Sequence, residues 1–309
     1  MRQLQQNLKS GTTEIVDVPM PNCGKGEVLI RSTVSLISPG TERMLVDFGK
    51  ASLVQKARQQ PHRVKDVLVK AKNDGLVATA KAVNAKLGQP LPLGYSNVGV
   101  VVECGENVSD VNVGDRVVSN GAHAEFVVAP KNLVARVPAH LGDDAASFTV
   151  VGAIALQGVR LAKPTIGETV AVIGLGLVGL LTVQILRANG CNVLGFDLSQ
   201  ERVERARQCG AQAVALTDGV DAVAEAMGYT KGWGIDAVLI TTATSSSDPV
   251  RSAAQMCRKR GRIVLVGVSG LALERDEFFR KELSFQVSCS YGPGRYDPEY
   301  ELKGNDYPR

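Results

Sequence analysis

The stretch Val170-Ala171-Val172-Ile173-Gly174-Leu175-Gly176-Leu177-Val178-Gly179 leaves this chain few folds to choose from. Four apolar residues run into Gly-x-Gly-x-x-Gly, and an apolar helical pattern comes next. That order reads as a buried strand, a tight turn and the start of a helix. Gly174 allows the turn, Gly176 lets the backbone approach a diphosphate, and Gly179 lets helix and strand pack closely. The opening turn of the helix offers N–H groups and a partial positive charge, which Leu175, Leu177 and Val178 would present along with the glycines.

A glycine fingerprint alone is a weak signal, and here its context carries it. Cys191-Asn192-Val193-Leu194-Gly195-Phe196-Asp197 reads as the next strand, ending in a carboxylate 18 residues after Gly179. A dinucleotide fold places an acid about 20 residues on, to accept the ribose hydroxyls. Asp197 would repel a 2′-phosphate, which favours NAD(H) over NADP(H). Arg202 works the other way, since a nearby Arg neutralises such a phosphate. Further runs at 213–216, 236–240, 262–266 and 283–288 read as strands, with helices expected over 144–162, 178–189 and 200–208. Strands alternating with helices predict an α/β fold with a doubly wound parallel sheet. Its ligand belongs at the carboxyl ends of the strands, where Thr241, Thr242, Gly267 and Val268 fall. For the two threonines, β propensity is an equally good explanation.

Residues 12–40 and the runs near 98–103, 114–118 and 124–128 read instead as short strands with glycine turns, a β domain ending near residue 140. Residues 50–90 interrupt it with a helical insert. That insert holds nine Lys/Arg against two Asp in a chain whose formal net charge is +4. Such a run is either a solvated basic face or a docking surface for an anionic partner, and it is too local for a general nucleic-acid binder. A length of 309 residues points to two domains, and 44% hydrophobic residues to a globular protein. The polar N-terminus lacks a signal-peptide h-region and no apolar run approaches membrane-spanning length, so a cytoplasmic protein is expected. Six scattered cysteines without a CxxC pair support neither a disulfide framework nor a zinc cluster.

Pro39-Gly40-Thr41-Glu42, Gly94-Tyr95-Ser96-Asn97-Val98-Gly99, Gly114-Asp115-Arg116-Val117, the fingerprint and Gly261-Arg262-Ile263-Val264-Leu265-Val266-Gly267 together resemble the medium-chain dehydrogenase/reductase superfamily, the zinc-type alcohol dehydrogenase family. The resemblance implies a GroES-like substrate domain over 1–140, completed in part by 290–309, and a Rossmann NAD-binding domain over 141–289. It also implies a small-molecule substrate and a homodimer. The departures are informative. Zinc-dependent members carry Cys-Gly-Thr-Asp where this chain has Pro39-Gly40-Thr41-Glu42, and Gly-His-Glu where it has Gly94-Tyr95-Ser96. Their third ligand position falls at Thr149, and the structural zinc lobe is missing. Pro, Tyr, Ser and Thr are poor zinc ligands, so no metal is expected.

Without a Lewis acid, a hydrogen-bond donor must stabilise a developing alkoxide. Tyr95, at the former His position of the family, has a phenol to donate, and Thr41 keeps the family position for relaying a proton from the substrate hydroxyl, with His123 and Glu42 as weaker acid/base candidates. A packed tyrosine with a satisfied hydroxyl and a turn histidine are the plain alternatives. The segments around Ser38-Pro39-Gly40-Thr41-Glu42-Arg43 and Ser290-Tyr291-Gly292-Pro293-Gly294 are similar to a zinc-less branch, often fused to a Gfo/Idh/MocA-type module and associated with polysaccharide synthesis. On that resemblance the chain is expected to be truncated and to lack a C-terminal oxidoreductase module. The activity expected is NAD(H)-dependent hydride transfer to or from an alcohol or carbonyl carbon of a sugar or polyol. An NADPH-dependent quinone or enoyl reductase and a silent cofactor-binding module are the alternatives.

Overall fold

The computed structural model describes residues 1–52, 55, 56, 58, 64, 83, 85, 88–217, 219–297 and 300. The helical insert read between residues 50 and 90 lies largely outside the described residues, as does the tail at 301–309. The chain divides into two compact units, Met1–Val150 and Val151–Arg309.

The first unit is built on antiparallel sheet. Strands β1 (Arg2–Asn7), β2 (Thr13–Asp17) and β4 (Pro90–Pro92) form one sheet in the order β2-β1-β4. Strands β3 (Glu27–Ser35), β5 (Asn97–Cys104), β6 (Arg116–Ser119), β7 (Phe126–Pro130) and β8 (Val134–Arg136) form a second in the order β7-β3-β5-β6-β8. Val28 and Ile30, two residues apart on β3, point to the same side and pack with Val101, Val117, Val127 and Ala129. Leu29 between them is buried as well, so this stretch of β3 is covered on both faces. Each such aliphatic side chain contributes about 1.5–3 kcal/mol by leaving water.

The structure departs from the sequence reading at two helices. Residues 39–50, partly read as β structure, form helix α1 (Pro39–Lys50), with Pro39 at its first turn and Ser38 as N-cap. Its buried residues are Glu42 and Gly49, so the inward face carries no apolar stripe for a periodicity search to find. The helix expected over 144–162 is two helices, α2 (Asp143–Ala146) and α3 (Thr149–Ala162). Ser147 Oγ bonds back to the carbonyl of Asp144 at 2.7 Å between them.

The second unit is a six-stranded parallel sheet of β9 (Thr169–Ile173), β10 (Asn192–Asp197), β11 (Gln212–Ala215), β12 (Ile235–Ile240), β13 (Cys257–Leu265) and β14 (Ser284–Val287). The order is β11-β10-β9-β12-β13-β14, the doubly wound arrangement, with its switch point between β9 and β12. The helices are α4 (Leu177–Ala188), α5 (Gln200–Gln208), α6 (Ala222–Tyr229), α7 (Asp248–Met256) and α8 (Arg275–Lys281). Two apolar layers enclose the sheet. One gathers Val172, Val183, Leu186 and Val203, the other Phe196, Val250, Met256 and Ile263. Local signals place the helices: Asp221 caps α6 by accepting the Val223 N–H at 2.9 Å. The Cys257 thiol, buried in the second layer, is pushed up to about 12 by desolvation. Among the described residues no helix is long and apolar enough to cross a membrane.

Asp143 opens α2 and ties it to the sheet. Its carboxylate accepts from Thr33 Oγ1 at 2.7 Å and pairs with Arg116. The Thr33 hydroxyl and then Arg116 hold its pKa below the usual aspartate value. A depressed carboxylate adds stability that is present above its unfolded-state pKa and lost as pH falls through the folded-state one. Asp143→Asn is therefore expected to cost about 1 kcal/mol at neutral pH. In urea titrations the gap to the wild type should close below about pH 4. A gap that persists unchanged into the acid range would show that charge is not its source.

Candidate functional site

The turn after β9 is made of backbone pressed against backbone. Gly174 has φ +96°, and a Cβ there would lie 2.7 Å from the Thr242 amide nitrogen. A Cβ on Gly179 would lie 1.9 Å from the Gly174 carbonyl oxygen. Neither position accepts a side chain, so the first turn of α4 rests directly on the strand end. Gly176, the N-cap of α4, faces open space: a Cβ there would meet nothing within 4 Å. Leu177 and Val178 come next, half-buried, in the turn whose N–H groups have no intrahelical acceptor. Leu175 differs from the reading of the sequence: its side chain is fully buried in the core and its N–H is engaged.

The partner of that N–H is Asp197. Its Oδ2 accepts from Leu175 N at 2.7 Å and its Oδ1 from Ser199 N at 2.9 Å. The carboxylate thus joins the end of β10 to the glycine turn, and each oxygen keeps a further lone pair. Arg202 Nη1 lies 3.6 Å from Asp197 Oδ2, on a half-exposed side chain. On the other side of β9, Thr241 Oγ1 donates to the Gly174 carbonyl at 2.5 Å. Val268 N donates to the Thr242 carbonyl at 3.0 Å, and a Cβ on Gly267 would lie 2.1 Å from the same oxygen. The twelve residues singled out along the second half of the chain therefore meet at one edge of the sheet, the carboxyl ends of β9, β10, β12 and β13. Thr241 holds the turn from beneath, while Gly176 and the exposed Val268 face outward.

In the first unit, Thr41 and Tyr95 come together although 54 residues separate them, with Thr41 Oγ1 3.4 Å from the Tyr95 hydroxyl. Thr41 stands exposed on the first turn of α1, and Tyr95 is half-buried on the turn before β5. His123 and Glu42 form a neighbouring pair. His123 Nε2 lies 3.0 Å from Glu42 Oε2 and Nδ1 lies 2.8 Å from Ser35 Oγ. Glu42 Oε1 accepts the Ser38 N–H at 2.7 Å. Ser35 and Ser38 are not among the site candidates of the sequence, because no local signal marks them.

The positions that hold zinc in zinc-dependent relatives supply no donor set here. Pro39 carries no ligand atom. Ser96 Oγ donates to the Ser147 carbonyl at 2.6 Å and Thr149 Oγ1 to the Ala146 carbonyl at 2.7 Å. Both hydroxyls are engaged by backbone, and Tyr95 is a phenol facing Thr41. Among the described residues no three His, Cys, Asp or Glu side chains gather as a metal site would require.

Comparison with known proteins agrees with this architecture. The family described as "Alcohol dehydrogenase GroES-like domain" matches residues 63–139, and that described as "Zinc-binding dehydrogenase" matches residues 178–302. A sorbitol dehydrogenase of Halalkalibacterium halodurans is 26% identical over 249 residues, 69% of this chain and 72% of that protein. An (R,R)-butanediol dehydrogenase of Bacillus subtilis is 30% identical over 234 residues, 65% of this chain and 66% of that protein. The solved structure of a short chain alcohol dehydrogenase from Escherichia coli CFT073, in complex with NADH, shares the fold. It has a TM-score of 0.74 at 21% identity and covers 98% of this chain and 88% of that one. With a GroES-like unit, a six-stranded sheet in the order β11-β10-β9-β12-β13-β14 and dehydrogenases as its relatives, the chain belongs to the medium-chain, zinc-type alcohol dehydrogenase-like superfamily and is an alcohol dehydrogenase-like oxidoreductase.

Proposed function

We propose that this oxidoreductase is NAD(H)-linked and independent of zinc, and that it acts on a secondary alcohol or its carbonyl counterpart in a polyol-like substrate. The observation that carries the reading is the side-chain-free turn of Gly174, Gly176 and Gly179 closed by Asp197. A diphosphate fits the open face at Gly176, against the N-terminus of α4. The remaining lone pairs of Asp197 suit ribose hydroxyls and oppose a 2′-phosphate. Arg202 favours the second reading, NADP(H) use in the manner of a quinone reductase, because it already sits beside that carboxylate.

When bound, the nicotinamide supplies the hydride acceptor or donor. What this chain adds is hydrogen bonding. The Tyr95 phenol is assigned to the substrate oxygen, where it donates to a carbonyl undergoing reduction and accepts from an alcohol undergoing oxidation. The Thr41 hydroxyl, 3.4 Å away, orients the phenol and passes the proton outward from an exposed position. The polyol preference comes from the relatives named as sorbitol and butanediol dehydrogenases. Edge strand β14 suits pairing with a second copy across the sheet.

Fluorescence titration is expected to show NADH binding at least about tenfold tighter than NADPH, the order of a single lost charge–phosphate clash. Asp197→Asn should narrow that ratio, since Asn keeps an acceptor for Leu175 N without the charge. Tighter NADPH binding would favour the second reading. Tyr95→Phe should lower turnover at least about tenfold in NAD-linked oxidation of 2,3-butanediol or sorbitol, with NADH affinity retained. Elemental analysis after incubation with zinc should find well below one equivalent per chain, and stoichiometric, activity-linked zinc would overturn the metal-free mechanism.

A further inference from the structure

Glu42 and His123 are the natural candidates for acid/base work near Tyr95, yet the geometry gives them a different task. Each side chain is only 9% exposed. An ionised Glu42 accepts and cannot donate, so His123 Nε2 carries the proton between them. Nδ1 is engaged by the Ser35 hydroxyl at 2.8 Å, and Glu42 Oε1 by the Ser38 N–H at 2.7 Å. Both ring nitrogens and both carboxylate oxygens of the pair thus already have a partner within the protein.

What the pair does present is a connection between two backbone segments. Glu42 comes directly after Thr41 on the first turn of α1, and its two oxygens bind the helix N-cap on one side and His123 on the other. The His123 ring lies flat against Gly94: a Cβ there would be 2.7 Å from ring Cδ2 and Cγ. The His123 N–H also donates to the Leu93 carbonyl at 2.8 Å, so backbone and ring both grip the residues just before Tyr95. Beyond Tyr95, the Ser96 carbonyl accepts from Leu36 N at 2.9 Å. Gly94 has φ +93°, which together with the ring contact admits no side chain.

The geometry points to Glu42 and His123 as positioning residues: a buried cross-brace that fixes the Tyr95 turn against the first turn of α1, and so sets the Thr41–Tyr95 hydroxyl separation. Its catalytic meaning rests on the role proposed above for Tyr95, but the brace itself does not. A pre-set pair of hydroxyls lowers the reorganisation needed when charge develops on the substrate oxygen.

Two measurements on the full chain separate these levels. The first is amide hydrogen exchange of the peptide containing residues 93–97. His123→Ala and Glu42→Ala are each expected to raise its exchange at least about tenfold, with the glycine turn at 174–179 unchanged. His123→Gln, which keeps a donor for Glu42, should restore part of the protection. Ser35→Ala is the mild variant if the others fold poorly, and should raise exchange at the same peptide by a smaller factor. Unchanged exchange at 93–97 in well-folded variants would overturn the brace, whatever the enzyme's activity.

The second is a double-mutant cycle on turnover with NAD and 2,3-butanediol or sorbitol. His123→Ala should lower kcat about tenfold in the wild type, leave NADH affinity unchanged, and cost little more in a Tyr95→Phe background. Additive losses would show that His123 acts apart from Tyr95 and would refute positioning of the phenol. Failure of the activity reading is visible separately, as wild-type protein that binds NADH without turnover, or as a Tyr95→Phe variant that keeps full turnover.

Discussion

The absence of a side chain on Gly179 lets the first turn of α4 lie on the carbonyl of Gly174, and the organisation of the second unit depends on that contact. Two peptide groups at this separation leave no room for a methyl group, so helix and strand meet as bare backbone. The contact leaves open space at Gly176, the N-cap of α4, and sets the turn where Thr241 and Asp197 reach it from the two neighbouring strands. The hydroxyl of Thr241 binds the turn's carbonyl and the carboxylate of Asp197 binds its N–H. The turn is therefore held from both neighbouring strands, and on the cofactor reading proposed above such pre-organisation lowers the ordering cost of binding.

A similar device operates in the first unit. There too a turn with a left-handed glycine, Gly94, has its surface covered by a neighbour, and there too a buried carboxylate, Glu42, accepts a backbone N–H while holding a second group. Asp197 joins a strand end to a glycine turn; Glu42 joins a helix start to one through His123. In both places an acidic side chain singled out in the linear reading, Asp197 for a ribose and Glu42 for acid/base work, also holds backbone by accepting its N–H groups. The cost of burying each charge is offset by N–H donors and, at Asp197, by Arg202. On the function proposed above, the groups left for chemistry are two hydroxyls and a helix terminus.

The hydroxyls at the metal-ligand positions of zinc-dependent relatives show why those residues do not simply stand in for the metal. Ser96 and Thr149 donate to the carbonyls of Ser147 and Ala146, where the break between α2 and α3 leaves helix-end acceptors unpaired. They have become part of the helix junction. Tyr95 alone of that set keeps its polar atom close to another candidate group, Thr41.

Contiguous residues determined what was legible in the sequence. The β9–α4 turn, the carboxylate ending β10 and the parallel strands are written in apolar runs and glycines whose meaning is local, because a strand, a turn and a helix start are each set within a few residues. Where local chemistry is ambiguous, the sequence misleads. Strand β1 is largely Gln and Arg with Gln6 fully buried, and α1 turns a carboxylate and a glycine inward, so neither shows the expected pattern. Only the tertiary structure decided that Tyr95 meets Thr41 across 54 residues, that His123 reaches Glu42 across 81 and Ser35 across 88, and that Asp197 closes on Leu175 rather than standing free. Those contacts depend on which strands pair and in what register. Strand pairing is set by the burial of whole sheet faces, a collective quantity that no short stretch of residues contains.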